Sequence, residues 1–82
     1  MYEIVLTRNA EKQLKKLEPD VRMRIIAALE RVRIRPESHV SKLVCESSFR
    51  LRVGDYRVIL DIDKGRLIVL VIKIGHRKNV YG

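Results

Sequence analysis

The sequence is poor in residues that cross-link, coordinate or stack. It holds one cysteine, Cys45, so no disulfide can close within the chain, and its two histidines join no Cys/His cluster spaced for zinc. Tryptophan is missing and the aromatics are only Tyr2, Phe49, Tyr56 and Tyr81, which argues against a stacking platform for single-stranded bases. The longest unbroken apolar run, LIVLVI over residues 67–72, is far too short to span a bilayer. In MYEIVLT no basic leader precedes an apolar stretch, so a soluble, cytoplasmic protein is expected, with no membrane partner. Acidic residues are scarce too. Ten Asp and Glu against eighteen Lys and Arg leave a net charge of +8. Such an excess marks a polyanion as partner, nucleic acid or acidic protein, although it also serves solubility.

What is present suffices for one small folded unit. Apolar residues make up 46% of the chain, ordinary for a globular protein and too many for a disordered one. At 82 residues a single domain over 1–82 is expected. At this size folding buries roughly 60–65% of the unfolded surface, so the core is thin. No repeat, low-complexity segment or internal boundary interrupts it.

The period of the apolar residues changes along the chain. YEIVLT (2–7) is a short β-rich opening. Ala10, Leu14 and Leu17 then fall on one helical face, with Thr7 or Asn9 available as cap. Pro19 stops that helix and suits the first turn of the next. In the second helix Val21, Ile25, Ala28, Leu29 and Val32 form one stripe, and Pro36 ends it. Residues 36–47 carry no sustained period and read as a connector. From there the period is two: FRLRV (49–53), a Gly54-Asp55 turn, YRVILDID (56–63), a second turn at DKG, and RLIVLVIKI (66–74). The order β-α-α-β-β-β predicts an α+β fold, a helical hairpin packed on one face of a mostly antiparallel four-stranded sheet.

Turn lengths assign the faces. A two-residue loop at Gly54-Asp55 sets Val53 opposite Tyr56 and Arg52 opposite Arg57. Phe49, Leu51, Val53, Tyr56, Val58, Leu60 and Ile62 then face the core, while Arg50, Arg52 and Arg57 share the other side. Opposed like charges destabilise a strand pair by a few tenths to about 1 kcal/mol, and a bound polyanion offsets that cost. A three-residue second loop, with Gly65 left-handed, sets Ile62 opposite Arg66 and Arg57 near Val71. That register brings Lys73, Gly75 and Arg77 to the arginine face, whereas a two-residue loop would invert it.

The ending GHRKNVYG (75–82) therefore leaves the sheet beside the arginines. Arg77 can chelate a phosphate and stabilise a five-coordinate transition state, and Tyr81 or His76 can move a proton. Neighbouring arginines favour the tyrosine phenolate. An RNA phosphodiester brings its own nucleophile, the 2′-hydroxyl, so a base, an acid and cations form a sufficient set without a metal or cofactor. Tyr81 could equally pin the chain end, and His76 could be a surface residue.

The β-α-α-β-β-β order, the stretch FRLRVGDYRVIL and the ending VIKIGHRKNVY resemble the RelE/ParE superfamily of toxins from prokaryotic toxin–antitoxin modules, over essentially the whole chain. Its most specific parts are L-R-x-G-x-Y-R at 51–57 and the G-x-R…V-Y ending at 75–81. The resemblance implies a RelE-like fold. In RelE-type members it also implies a domain that enters the ribosomal A site and cuts mRNA without a metal, the 2′-hydroxyl attacking to leave a cyclic phosphate. Matched residue by residue, Arg50 and Arg52 correspond to basic residues before the tight turn, Arg57 to the arginine after it, and Arg77 and Tyr81 to the terminal pair. The expected catalytic residues are thus Arg57, Arg77, Tyr81 and His76, with Arg50, Arg52, Lys73 and Lys78 binding RNA phosphate. Ser48 stands where some members have a further cation, His76 where others have lysine, and the spacing to Tyr81 is short. ParE-type members share the fold, act on DNA gyrase and lack the catalytic set; a basic module that binds RNA without cutting it is a further alternative.

The resemblance implies a cognate acidic, RelB-like antitoxin beside the ribosome and mRNA, a monomeric free toxin and a hetero-oligomeric complex. The expected docking residues are Lys12, Lys15 and Lys16 on the first helix and Leu67, Val69 and Val71, which the three-residue loop sets on the arginine side of the last strand.

Overall fold

A computed structural model of the chain describes residues 1–42 and 48–76. The chain opens with β1 (Glu3–Leu6), then α1 (Arg8–Lys15) and α2 (Pro19–Ile34). A 3₁₀ turn (Pro36–Ser38) leads into β2 (Ser41–Lys42), followed by β3 (Phe49–Val53), β4 (Tyr56–Asp63) and β5 (Ile68–His76). Thr7, not Asn9, caps α1: its Oγ1 accepts a hydrogen bond from the Ala10 amide at 3.1 Å, satisfying one of the donors a helix start leaves over. Pro19 occupies the first turn of α2, where its missing N–H costs nothing, and Asp20 beside it complements the helix dipole.

The strands form one sheet in the order β1-β5-β4-β3-β2, antiparallel except where β1 runs parallel to β5. The described residues thus hold five strands where the sequence pattern suggested four. The additional one, β2, is two residues long and pairs only with Phe49 and Arg50, too short to leave a period in the sequence. Both helices lie on one face. Ala10 of α1 and Ile25, Ala28, Leu29 and Val32 of α2 pack against Leu51, Val58, Leu60, Val69, Val71 and Ile74. Each fully buried Ile, Leu or Val there contributes about 1.5–3 kcal/mol relative to exposure. The amide of Tyr2 donates to the Arg33 carbonyl at 2.9 Å and Arg33 Nε donates to the Tyr2 carbonyl at 3.0 Å, tying the end of α2 to the start of β1.

The first hairpin follows the predicted register, with Val53 opposite Tyr56 and Arg52 opposite Arg57. Gly54 takes φ +59, at the central position where a two-residue loop favours glycine. The second hairpin does not. Its loop spans four residues, 64–67, because Asp63 pairs with Ile68, and the left-handed residue is Leu67 (φ 57) rather than Gly65. Asp63 Oδ1 accepts from the Arg66 amide at 3.0 Å within this loop, and Lys64 reaches Glu37. The hydrogen bond to Glu37, with its Coulomb attraction, holds the Lys64 pKa above the ordinary lysine value. Ile62 faces Val69 instead of Arg66, and Arg57 faces Gly75 instead of Val71. Between Leu60–Val71 and Ile59–Lys73 the register shifts, leaving Ile72 as a bulge.

That bulge decides which side chains face outward. Past it, Lys73 and Gly75 lie on the arginine face, as expected. Before it the parity is reversed: Val69 and Val71 are fully buried beneath the helices, and neither is available for docking. The outward residues are Ile68 and Leu70, the latter paired with Leu60's neighbour Asp61 on one side and with Val5 on the other.

Candidate nucleic-acid interface

The face of the sheet away from the helices carries two adjacent cross-strand rows. In one, Arg50, Ile59 and Lys73 stand side by side on β3, β4 and β5. In the next, Arg52, Arg57 and Gly75 do. Neighbouring strands lie about 4.8 Å apart and alternate residues along a strand about 6.8 Å apart, so four cations share a patch of phosphate dimensions. Arg52 is exposed, while Arg50, Arg57 and Lys73 are partly buried. The Arg57 Nε is itself buried, which fixes the base of the guanidinium against the sheet. Gly75 contributes no side chain beside Arg57. Ile59 supplies an apolar floor between Arg50 and Lys73. Such an arrangement can bind a phosphate through the arginine forks and stabilise charge that develops on it.

His76 is set apart from this patch. It pairs with Tyr56, on the face that carries Val58 and Ile74, and the two rings meet edge to face with centroids 5.5 Å apart at 77°. Alternation along β5 thus turns it away from Arg57, against the expectation that it joins the arginines. Arg77, Lys78 and Tyr81 lie outside the described residues, as does Cys45. Ser48, Arg50, Arg52, Arg57 and Lys73 are all within them.

Gln13, which sequence reasoning missed, and Thr7, which it read only as a helix cap, hold the end of β5. β1 stops at Leu6, opposite Val71, and leaves the next stretch of β5 without a strand on that side. The start of α1 takes over. Thr7 donates its amide to the Val71 carbonyl at 3.0 Å and its hydroxyl to the Ile72 carbonyl at 2.9 Å, and Gln13 Oε1 accepts from the Ile74 amide at 2.7 Å. No sequence signal announces a side chain bonded to backbone so far along the chain.

The expected docking residues Lys12, Lys15 and Lys16 are exposed on α1, Lys15 in an ion pair with Glu11 at 3.2 Å, and Leu67 is 47% exposed. A groove of about 940 Å³ runs past Val5, Ile68 and Leu70 toward Asp61, Asp63 and Arg66. Among the described residues no group of His, Cys, Asp or Glu is placed to hold a metal, and no helix is long and apolar enough to cross a membrane.

Residues 4–81 match the family model described as ParE toxin of type II toxin–antitoxin system, parDE. No curated protein matches. Among solved structures, a chain of the toxin–antitoxin complex RelBE2 from Mycobacterium tuberculosis is 26% identical, with a TM-score of 0.84 over 93% of this chain and 98% of that one. The intact E. coli RelBE toxin–antitoxin complex gives 26% identity and a TM-score of 0.81, covering 93% and 96% of the two chains. The archaeal RelE–RelB complex from Pyrococcus horikoshii OT3, at 23% identity and TM-score 0.81, covers 96% and 98% and shares the fold.

Proposed function

The chain belongs to the ParE toxin family of type II toxin–antitoxin systems, and from that premise we propose that it is a ribosome-dependent endoribonuclease that cleaves mRNA in the A site and so stops translation. The observation that carries this reading is the Arg52–Arg57 pair, opposed across a hairpin and flanked by Arg50 and Lys73. A purely structural sheet gains nothing from stacking like charges, whereas a scissile phosphate makes the cluster favourable.

In this reading the chemistry needs no metal. The substrate 2′-hydroxyl attacks the adjacent phosphorus; the 2′-O–P bond forms, the P–O5′ bond breaks, and a 2′,3′-cyclic phosphate remains. Tyr81 takes the 2′-hydroxyl proton, helped by arginines that favour its phenolate. Arg57 and Arg77 bind the non-bridging oxygens, whose charge grows in the transition state, while Arg50, Arg52, Lys73 and Lys78 hold the flanking backbone. With His76 turned against Tyr56, Arg77 hydrogen-bonds the departing 5′ oxygen, which takes its proton from water. The partner is a cognate acidic antitoxin like the RelB of the similar complexes. Its apolar side chains cover Val5, Ile68, Leu70 and Leu67, and its acidic ones approach the arginine face and Lys12, Lys15 and Lys16. The free toxin is a cytoplasmic monomer and the complex a hetero-oligomer.

A second reading rests on the family description itself, which names parDE: inhibition of DNA gyrase without catalysis. Mapping the 5′ ends of a reporter mRNA after induction of this protein alone separates the two. Cuts at in-frame positions that vanish when translation is blocked are expected; DNA damage with intact mRNA would overturn the nuclease reading in favour of the second.

A further inference from the structure

A second concentration of positive charge lies beyond the arginine face, where α2 passes the β3–β4 hairpin. A cleft of about 360 Å³ opens there, walled by Arg24, Ala27, Ala28 and Arg31 of α2 and by Arg52 to Gly54 of the hairpin. Arg24 and Arg31 are two helical turns apart, about 10 Å along the axis, on the same side of the helix. Between them stand only alanines, so the floor is free of bulk. Across the cleft Gly54 carries no side chain, and even a Cβ there would meet nothing within 4 Å. No carboxylate is among the lining residues.

The other two cations within α2 are engaged: Arg33 binds Glu30 and the Tyr2 carbonyl, and Arg22 lies 3.5 Å from the Lys15 carbonyl. Glu30, the acid nearest Arg31 in sequence, is thereby taken up by Arg33. Arg24, Arg31 and Arg52 are exposed and make no ion pair among the described residues. Beyond Arg50 the outer edge of β3 has no described strand against it, which leaves this side of the hairpin accessible.

We propose that this cleft is a second phosphate subsite, which holds the RNA backbone one or two nucleotides away from the phosphate on the arginine face. Arg52 links the two: it stands opposite Arg57 on the sheet and also lines the cleft. The chemistry favours RNA over an acidic protein segment. The cleft offers two arginine forks from α2, with Arg52 at its hairpin wall, but no aromatic and no large apolar side chain beyond Val53, and protein partners need such anchors while a sugar–phosphate backbone does not. The inference rests on the reading that the protein acts on RNA. It goes beyond it in assigning Arg24 and Arg31, which lie on the helix and take no part in the chemistry.

The test is equilibrium binding of an uncleavable 2′-O-methyl RNA dodecamer to the purified full chain over a range of salt concentrations, comparing wild type, R24Q/R31Q and R24K/R31K. Two lost phosphate contacts should lower affinity for the glutamine variant and flatten the slope of log K against log salt by about 1.4, at about 0.7 per contact with a single strand. The lysine variant should keep the wild-type slope. An identical slope for wild type and the glutamine variant, at whatever affinity, overturns the proposal. So does a glutamine variant that binds RNA normally and loses antitoxin affinity instead, since the cleft would then be a protein site. Cut-site mapping with wild type reports on the nuclease reading separately: in-frame cuts together with an unchanged slope would remove the cleft and leave the enzyme.

Discussion

Gln13 and Ile74, 61 residues apart in the chain, are joined by a 2.7 Å hydrogen bond from the Ile74 amide to the glutamine side-chain oxygen. It does the work a neighbouring strand would do. β1 has ended at Leu6, and without Gln13 a partly buried donor in the last strand would stay unsatisfied. The same stretch of β5 runs to His76, so a residue on the helix side of the molecule helps hold the end of the last described strand.

Replacing Gln13 by leucine should therefore destabilise the protein by about 1–3 kcal/mol, the cost of an orphaned buried amide. Gln13→Glu keeps an acceptor at the same reach and should cost less. Urea unfolding midpoints of the two variants against wild type test the assignment, and equal stability of Gln13→Leu and wild type would refute it.

The arginine pair predicts the opposite sign. Arg52→Ala removes a like-charge opposition from β3–β4 and should leave stability unchanged or raise it by a few tenths to about 1 kcal/mol. Toxicity and mRNA cleavage should fall all the same. Arg57→Ala should abolish cleavage. A variant of Arg52 that is both less stable and fully toxic would show that the arginine is structural.

How much of this the sequence revealed depended on local alternation. FRLRV and YRVILDID alternate apolar with polar residues around a Gly-Asp turn, and their register and faces followed directly. LIVLVI is apolar at every position, so nothing in it marks inside from outside. The four-residue loop reversed its parity and the bulge at Ile72 restored it. Lys73 and Gly75 consequently came out on the expected face even though the register was wrong, while Val69 and Val71 did not. The stripe of α2 was legible because it repeats over about three turns, from Val21 to Val32. β2 and the Gln13 clamp were not, being respectively too short for a period and a contact distant in the chain.

The tail residues make a separate pair of predictions. Arg77→Ala should cost on the order of 10²–10³ in cleavage rate, the usual loss for one transition-state cation, with the unfolding midpoint unchanged. Tyr81→Phe keeps the ring and removes only the hydroxyl, so cleavage should slow while antitoxin affinity stays near wild type. Both are read in a translation extract by primer extension on a defined mRNA. Normal cleavage by Tyr81→Phe would exclude the phenol as base and return His76 to consideration, despite its contact with Tyr56.

Leu67 offers the clearest separation of stability from binding. It sits at φ 57, a conformation that costs an ordinary L-residue roughly 1–2 kcal/mol, and it is 47% exposed, so packing does not repay that cost in the free chain. Glycine adopts the same φ freely but loses more entropy on folding, so Leu67→Gly should stabilise the free toxin by up to about 1 kcal/mol. If Leu67 joins Val5, Ile68 and Leu70 under the antitoxin, the same change removes an apolar anchor and should speed dissociation of the complex. Raising salt should act on the other rate, slowing association between a +8 toxin and an acidic partner far more than it speeds release. Stopped-flow association and competition dissociation, measured for wild type and Leu67→Gly from low to physiological salt, give all of these numbers. A faster off-rate from a more stable toxin would place the antitoxin over this loop. An unchanged off-rate would move it elsewhere, and a salt-insensitive on-rate would remove charge from the encounter.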